Sequence, residues 1–242
     1  MPRRVHTGVP GLDDLLEGGF LEGQTVLLTG PTGTGKTTFC AQFLMEGVRN
    51  GEPGLLVTIG EGKKHILDYM KGFGWDLKAL VTNNRLGLLD ATPMPRGPEG
   101  KFYVTDKPSL EFNLDNVTGL VLGEIERLKV SRVVLDSVSA MLLAVWEPFR
   151  IRHELLAVVD MLERSGCTAL LTAERLGPES HADLLGFVTH GLIELDYPRL
   201  KNEHVRTLTV RKMRGTNHDR GVFLYEIGKQ GVKVTSRAEY LD

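Results

Sequence analysis

Nine consecutive residues near the amino terminus have the types and spacing of a phosphate-binding loop. They read Gly30-Pro31-Thr32-Gly33-Thr34-Gly35-Lys36-Thr37-Thr38. Glycines allow backbone conformations that other residues avoid, so successive N–H groups can converge on phosphate oxygens at the positive end of a helix. In such a loop Lys36 reaches the outer phosphates and contributes to catalysis, and the Thr37 hydroxyl can bind Mg²⁺. The predicted nucleotide-binding residues are Thr32, Gly33, Thr34, Gly35, Lys36, Thr37 and Thr38.

The segments on either side of this loop have the structure that the motif requires. Residues 24–29 form a short apolar and β-branched run that predicts a buried strand, and residues 38–44 predict a helix. A strand, a glycine-rich loop and a helix, in that order, are the context in which the motif binds phosphate. A glycine-rich turn that matches the motif by chance would not explain both flanking elements. The sequence therefore predicts a nucleotide-binding protein.

Two acidic residues follow other predicted strands and could complete such a site. Asp136 ends the apolar run 132–136, and Glu61 comes shortly after the run 54–59. The carboxyl ends of parallel strands meet at one edge of a sheet, which is also the edge that carries the loop. Asp136 could therefore hold Mg²⁺ together with Thr37, and Glu61 could position the attacking water. From the residues alone, Asp136 could instead cap a turn, and Glu61 could be a solvated loop residue.

The order of predicted elements indicates an α/β fold with a mostly parallel central sheet, flanking helices and antiparallel strands near the carboxyl terminus. Residues 205–211 and 221–227 alternate apolar and polar, which is typical of antiparallel strands that close a sheet. By contrast, residues 93–108 are rich in proline and glycine and show no period, so we expect an exposed loop there. The other predicted strands are 87–90, 168–172 and 191–195, and the other predicted helices are 65–73, 116–129 and 151–165.

Composition and charge limit the class of protein. The 242 residues are 41% hydrophobic and no change in composition marks a linker, so we expect one domain over residues 1–242. Lys and Arg number 29 against 31 Asp and Glu, so no basic excess favours nucleic acid as a partner. Residues 1–6 lack the apolar core of a secretion signal, and no apolar stretch could span a bilayer. We therefore expect a cytoplasmic protein with no membrane partner, in which Cys40 and Cys167 are buried thiols.

Six segments, including the loop, together closely resemble the KaiC-like branch of the RecA-type ATPases. The resemblance covers nearly the whole chain and matches a single KaiC-type domain. It implies a RecA-type P-loop NTPase core, ATP and Mg²⁺ as ligands, and a homo-oligomeric ring, commonly of six subunits, with nucleotide between neighbours. The segments are residues 7–20, 30–38, 42–47, 73–77, 135–137 and 211–218.

The resemblance also gives a role to the basic motif at residues 211–218. In the proteins that this chain resembles, the Lys-x-Arg-Gly-Thr segment reaches the phosphates of the adjacent subunit. This implies that Lys212 and Arg214 act in catalysis and that both, with His218, contact the nucleotide. A cation supplied by a neighbour neutralises developing charge only in the assembled ring, so hydrolysis would depend on assembly. From the residues alone, this strand end would be a solvated hairpin face.

Three positions depart from the family's pattern. Where family members carry two adjacent glutamates, this chain has Gly60 and Glu61, so the position usually assigned the catalytic role is a glycine and we expect weak hydrolysis. His190 stands where an aspartate is common, which we interpret as a surface change without consequence. Residues 185–188 lack the phosphorylated Ser and Thr of the clock protein, so autophosphorylation of the clock type is not expected.

We therefore expect a ring-forming ATPase that converts ATP to ADP and phosphate slowly and couples nucleotide state to assembly or to an unidentified protein partner. Two alternatives stay open. A signalling scaffold would hold ATP and hardly cleave it, which Gly60 would explain. A RecA-like DNA-binding recombinase paralogue fits the core, although the near-neutral charge argues against it. Glu174 also has two interpretations, which are nucleotide sensing and a loop ion pair with Arg175.

Overall fold

The computed structural model describes residues 2–95, 101–142, 148–175, 186–200 and 202–237. Strands and helices alternate along most of this chain, as an α/β fold requires. In chain order the strands are β1 (Arg4–Val5), β2 (Phe20–Leu21), β3 (Thr25–Gly30), β4 (Gly54–Thr58), β5 (Leu86–Asp90), β6 (Pro93–Pro95), β7 (Phe102–Val104), β8 (Lys107–Glu111), β9 (Arg132–Asp136), β10 (Thr168–Glu174), β11 (Gly191–Asp196), β12 (Arg199–Leu200), β13 (Glu203–His204), β14 (Thr207–Met213), β15 (Val222–Gly228) and β16 (Gly231–Arg237). The helices are α1 (Leu12–Leu15), α2 (Lys36–Arg49), α3 (Lys63–Lys71), α4 (Leu77–Thr82), α5 (Leu114–Leu128), α6 (Val138–Leu142) and α7 (Pro148–Arg164).

A nine-stranded sheet forms the centre of the described structure, in the order β16-β15-β14-β11-β3-β10-β9-β4-β5. The six strands from β11 to β5 run parallel to one another. Strands β14, β15 and β16 extend the sheet beyond β11 with antiparallel pairing. The predicted mostly parallel sheet with antiparallel carboxyl-terminal strands is confirmed. Strand β16 is an addition that the sequence pattern does not predict.

Side chains alternate between the two faces of this sheet, and each face has its own apolar core. In β3, Leu28 belongs to the core that contains Phe43 of α2. The preceding residue, Leu27, belongs to the opposite core, with Val121 of α5 and Leu155 of α7. Burial on both faces explains why β3 and β4 read as continuous apolar runs. Among the described residues, no helix is long and apolar enough to cross a membrane.

The prediction of an exposed loop at residues 93–108 is wrong. The described residues of this region, 93–95 and 102–111, contain a three-stranded antiparallel sheet of β6, β7 and β8, which we call the ribbon. Strand β6 lies at the edge of the ribbon and both begins and ends with proline. Proline has no N–H to donate, so it is confined to such edge positions. Strands of three residues, such as β6 and β7, are too short to show a hydrophobic period. The prolines are therefore the clearest signal in this sequence, and they indicate a loop.

A buried arginine anchors the edge of the sheet at which the parallel strands begin. Arg132 starts β9, and its side chain is 1% exposed. Its guanidinium donates hydrogen bonds to the Glu52 carboxylate through Nε (2.8 Å) and to the carbonyl oxygens of His6 (2.7 Å) and Phe43 (2.9 Å). The carboxylate compensates the buried charge, which would otherwise be costly. Arg132 thereby joins the amino-terminal segment, α2 and the turn before β4.

Replacing Arg132 with methionine should lower the free energy of unfolding by about 3–5 kcal/mol, because it leaves the Glu52 carboxylate and two buried carbonyls without their donor. Urea denaturation measures the change. Arg164→Met is the control, because Arg164 pairs with Asp160 at 79% and 56% side-chain exposure. Such a surface pair should contribute less than about 0.5 kcal/mol. Equal losses in the two variants would contradict the anchoring role of Arg132.

Candidate active site

Four parallel strands end side by side at the edge of the sheet where the phosphate loop begins. At the ends of β4 and β9, Thr58 lies opposite Asp136. At the ends of β10 and β3, Glu174 lies opposite Gly30. The segments that follow these strands therefore surround a common space.

A cavity of about 670 Å³ occupies this space. Small-molecule sites commonly have volumes of about 300–1,000 Å³. The cavity brings together the predicted loop residues, except Thr34, with Glu61, Asp136 and Glu174. Its lining also contains Tyr69 and Ser139, which the sequence pattern does not single out. The described residues that line it are Thr32, Gly33, Gly35, Lys36, Thr37, Thr38, Ile59, Gly60, Glu61, Tyr69, Met70, Asp136, Ser137, Ser139, Ala140, Glu174 and Ile227.

Two glycines give the loop its curvature. Gly33 and Gly35 have φ angles of +86° and +87°, in the left-handed region that residues with a Cβ rarely adopt. A Cβ on Gly35 would also lie 2.4 Å from Cδ1 of Ile227 in β15. Helix α2 begins at the next residue, Lys36, so its unpaired amino-terminal N–H groups lie beside the loop. This is the geometry in which backbone N–H groups and the helix dipole bind phosphate.

Thr34 supports the loop from inside. Its side chain is buried, and its hydroxyl donates a hydrogen bond to the Pro31 carbonyl (2.8 Å). The Tyr225 hydroxyl donates to the Thr34 carbonyl (2.6 Å), and burial raises the pKa of Tyr225, which keeps this donor protonated. Thr34 is one of the predicted nucleotide-binding residues. Because its hydroxyl is used within the loop, it can contact a nucleotide through its backbone and not through its side chain.

Lys36 lies beneath the loop with little contact with solvent. Its Nζ donates hydrogen bonds to the carbonyl oxygens of Gly30 (2.7 Å) and Pro31 (3.0 Å). Burial lowers the pKa of Lys36, and the nearby Glu174 and Asp136 carboxyl groups act in the opposite direction. The ammonium group is therefore held at the centre of the loop, in surroundings where its charge interacts strongly with a ligand.

Asp136 contacts the loop helix and two neighbouring strands. Its carboxylate accepts a hydrogen bond from the Thr37 hydroxyl (2.7 Å) and another from the Thr172 hydroxyl of β10. Its backbone carbonyl accepts from the Ile59 N–H (2.7 Å). The structure thus joins Thr37 and Asp136, the two predicted metal ligands. Thr172 is a further polar contact, and no feature of the sequence beyond its place in a strand indicates it.

Glu61 lies in the turn between β4 and α3, on the wall of the cavity. Its carbonyl accepts a hydrogen bond from the Thr58 hydroxyl. Within the described part of the chain, its carboxylate has no hydrogen bond or ion pair and is available to a ligand or water. The neighbouring Gly60 has a φ of +119°, which L-amino acids with side chains rarely adopt. A second glutamate in this conformation would strain the turn, so glycine at this position has a structural reason.

Glu174 also faces the cavity, but its predicted partner does not pair with it. Its N–H donates a hydrogen bond to the Ser139 hydroxyl oxygen (2.9 Å). Arg175 instead forms an ion pair with Glu194 of β11. The loop ion pair between Glu174 and Arg175 is therefore absent, and the carboxyl group of Glu174 lies close enough to Lys36 to affect its pKa.

The predicted basic residues lie at the other edge of the sheet. Lys212 in β14 is opposite Leu192, near the start of β11, and the Arg214 N–H donates to the His190 carbonyl (3.0 Å). The Lys212 ammonium donates to the Thr189 carbonyl (2.6 Å), and burial and Arg214 lower its pKa. Nδ1 of His218 lies 2.9 Å from the Asp219 carbonyl oxygen. Lys212, Arg214 and His218 do not line the cavity of their own chain.

His190, interpreted from the sequence as a surface change, contacts residues of two other segments. Its Nδ1 accepts a hydrogen bond from the Thr25 N–H (3.2 Å), at the start of β3. This tautomer leaves the proton on Nε2, which lies 3.4 Å from the Glu163 carboxylate. Both cysteines are buried and free, as predicted.

Comparisons with known proteins match nearly the whole chain. The family model described as "ATPase: KaiC" matches residues 5–239. A UPF0273 protein of Methanocaldococcus jannaschii is 34% identical over 238 residues, which are 96% of this chain and 96% of that protein. The circadian clock oscillator protein KaiC of Prochlorococcus marinus is 32% identical over 236 residues, which are 96% of this chain and 45% of that protein. The chain thus spans about half the length of the clock proteins that it matches.

A solved structure has the same fold over its full length. The crystal structure of a KaiC-like protein from Pyrococcus horikoshii matches with a TM-score of 0.83 and 36% sequence identity, and the match covers 97% of this chain and 100% of that one. Sequence motifs, family model and fold agree over the same residues. The chain belongs to the KaiC family of ATPases.

Proposed function

We propose that this chain, as one domain over residues 1–242, forms a homo-oligomeric ring and hydrolyses ATP slowly at its subunit interfaces. The main support for this proposal is the excess of acidic side chains around the cavity. Among the described residues of the lining, Glu61, Asp136 and Glu174 are acidic and Lys36 is the only base. A triphosphate needs more positive charge than this lining supplies. We assign the additional positive charge to two sources, Mg²⁺ and a neighbouring subunit.

Thr37 and Asp136 would hold the Mg²⁺. Their side-chain oxygens lie 2.7 Å apart, and hard oxygen ligands of this kind suit Mg²⁺. The described residues contain no cluster of three or more His, Cys, Asp or Glu side chains that could hold a metal. A site with one or two protein ligands is usual where substrate phosphates complete the coordination. Bound there, Mg²⁺ would supply positive charge to the phosphate oxygens.

The other lining residues would bind and orient ATP. The N–H groups of the loop and of the start of α2 would hold the phosphates, with Lys36 on the outer ones. The Glu61 carboxylate, which has no partner among the described residues, would accept a hydrogen bond from water and direct the water at the terminal phosphorus. Phosphoryl transfer depends mainly on this positioning and on charge stabilisation.

Lys212, Arg214 and His218 would act on the nucleotide of the adjacent subunit. Strand β3 separates their edge of the sheet from the loop of their own chain, and its six residues span about 20 Å at ~3.3 Å per residue. From this position, the three side chains would therefore contact the phosphates bound to the adjacent subunit of a ring. Hydrolysis would then require assembly, because Arg214 neutralises transition-state charge only across an interface.

A second candidate function, a signalling scaffold that holds ATP and hardly cleaves it, is favoured by Gly60. This residue leaves one carboxylate, Glu61, where the family pattern has two. We favour slow hydrolysis because the Glu61 carboxylate lines the cavity and has no partner in the described structure.

A single turnover of bound ATP distinguishes these two functions. Assembled protein with saturated sites should convert its ATP to ADP and phosphate, which chromatography of labelled nucleotide after acid quench measures. Lys36→Ala should bind no ATP, because the loop loses its cation. Lys64→Ala removes an exposed lysine of α3 and should behave as the unmodified protein. Sites that stay filled with ATP, with no ADP formed, would support the scaffold and contradict hydrolysis.

Mixing two inactive variants tests the contribution of the neighbour. Arg214→Ala should bind ATP normally but hydrolyse it at least about a hundredfold more slowly, as expected when one charged group of the transition state is lost. Mixed with Lys36→Ala, it should regain part of the activity, because some interfaces then combine an intact loop with an intact Arg214. Arg220→Ala, which removes an exposed arginine, is the control. A mixture no more active than its components would contradict the placement of Arg214 across the interface.

A further inference from the structure

The backbone that carries Glu61 is fixed at successive residues between β4 and α3. Each bond comes from a different neighbour, while the Glu61 carboxylate has no partner in the described structure. The backbone therefore fixes the point from which the Glu61 side chain extends into the cavity. The hydrogen bonds are Ile59 N–H to the Asp136 carbonyl (2.7 Å), Gly60 N–H to the Thr92 hydroxyl (3.0 Å), the Thr58 hydroxyl to the Glu61 carbonyl, and Lys63 N–H to the Asp90 carboxylate (3.4 Å).

Thr92 supplies the contact at Gly60, next to the catalytic candidate. It lies between β5 and β6 and is itself held on both sides. Its N–H donates to the Asp90 carboxylate (3.0 Å), and its carbonyl accepts from the Thr105 N–H (3.1 Å) and hydroxyl (2.7 Å). Thr105 follows β7, so the turn of the ribbon holds the backbone of Thr92, from which its hydroxyl reaches the Gly60 N–H. A residue whose backbone is held on both sides can in turn fix the group that its side chain binds.

The same ribbon also holds the far end of the turn. The Asp106 carboxylate pairs with the Lys63 ammonium at the start of α3 and accepts a hydrogen bond from the Asp90 N–H (2.7 Å). Side-chain exposures of 33% for Lys63 and 26% for Asp106 show that this pair is partly shielded from solvent. Thr92, which directly precedes the ribbon, and Asp106, in the turn between β7 and β8, thus contact the turn before and after Glu61.

The conformation of Gly60 makes the Thr92 contact possible. Its φ of +119° is available to glycine and strained for other residues. Crowding is not the reason, since a Cβ on Gly60 would have its nearest neighbour, the Ala140 Cβ, at 3.8 Å. The glycine that replaces an acid is therefore required by the shape of the turn.

We propose that Thr92 is a positioning residue for ATP hydrolysis: through the Gly60 N–H, it holds the turn at which Glu61 orients water. This inference rests on the proposed function. It assigns to the ribbon a role in the rate of the chemical step and none in nucleotide affinity, because the ribbon residues do not line the cavity. Misplacement of a catalytic group by about 1 Å can slow a reaction by about a hundredfold.

The test compares kcat and KM of ATP hydrolysis in assembled protein. Thr92→Val keeps the shape of the side chain and removes the acceptor, so kcat should fall by about tenfold to a hundredfold while KM stays unchanged. Thr92→Ser restores the hydroxyl and should restore kcat. Thr118→Val is the matched control, since within the described structure the Thr118 hydroxyl bonds only to backbone carbonyls of its own helix, α5. Gly60→Ala disturbs the same turn from its other side and should also lower kcat, which provides a second variant if Thr92→Val does not fold.

The outcomes separate this inference from the function on which it rests. If Glu61→Gln slows hydrolysis and Thr92→Val retains normal kcat, the positioning role is wrong and the proposed function stands. If Glu61→Gln has no effect, the role of Glu61 fails and the role of Thr92 fails with it. Equal losses in Thr92→Val and Thr92→Ser would show that the hydroxyl is not the group that matters and would also overturn the inference.

Discussion

The carboxylate and the carbonyl of Asp136 fix the relative positions of the parts of the site. Through its carboxylate it holds Thr37 at the start of α2 and Thr172 of β10, and through its carbonyl it holds Ile59, where the Glu61 turn begins. These contacts tie the phosphate loop to the turn that carries the carboxylate proposed to orient water. Both groups must lie within a few tenths of an ångström of their productive positions for efficient catalysis. The parallel strands satisfy this requirement because their carboxyl ends are in register, with Asp136 opposite Thr58.

Charge is balanced differently at the two edges of the sheet. At the edge where the parallel strands begin, Arg132 is paired with Glu52 and bound to backbone carbonyls, so its buried charge is compensated within the chain. At the other edge, the cavity has three acidic side chains and one lysine among its described residues, and this balance does not suit a triphosphate. Lys212 and Arg214 do not line this cavity. A chain with its acids at one edge and these cations at the other is suited to a head-to-tail ring, in which each subunit completes the site of the next.

Local patterns predict those parts of the structure that depend on contiguous residues. The phosphate loop, its flanking strand and helix, and the position of Asp136 at a strand end all follow from such patterns, and the structure confirms the sheet that they imply. Contacts between distant segments leave no such signal. Pro93 and Pro95 make the sequence of the ribbon typical of a loop, so its strands are not predicted. The contact of Thr92 with Gly60 joins residues 32 positions apart. Sequence reasoning likewise interprets Gly60 only as a lost acid, because the positive φ that requires glycine is visible only in the folded turn. Contacts between subunits are visible neither in local sequence patterns nor in the structure of one chain. The ring is therefore a proposal.

The central claim is that the residues of one subunit suffice to bind ATP, whereas its hydrolysis requires residues of two neighbouring subunits. The most direct measurement is the rate of phosphate release per subunit as the protein is diluted through the concentration at which the oligomer dissociates, with nucleotide occupancy and particle size followed in the same samples. The account predicts that the rate per subunit falls with the fraction of assembled protein while monomers still bind ATP. A rate per subunit that is unchanged in monomers would contradict it.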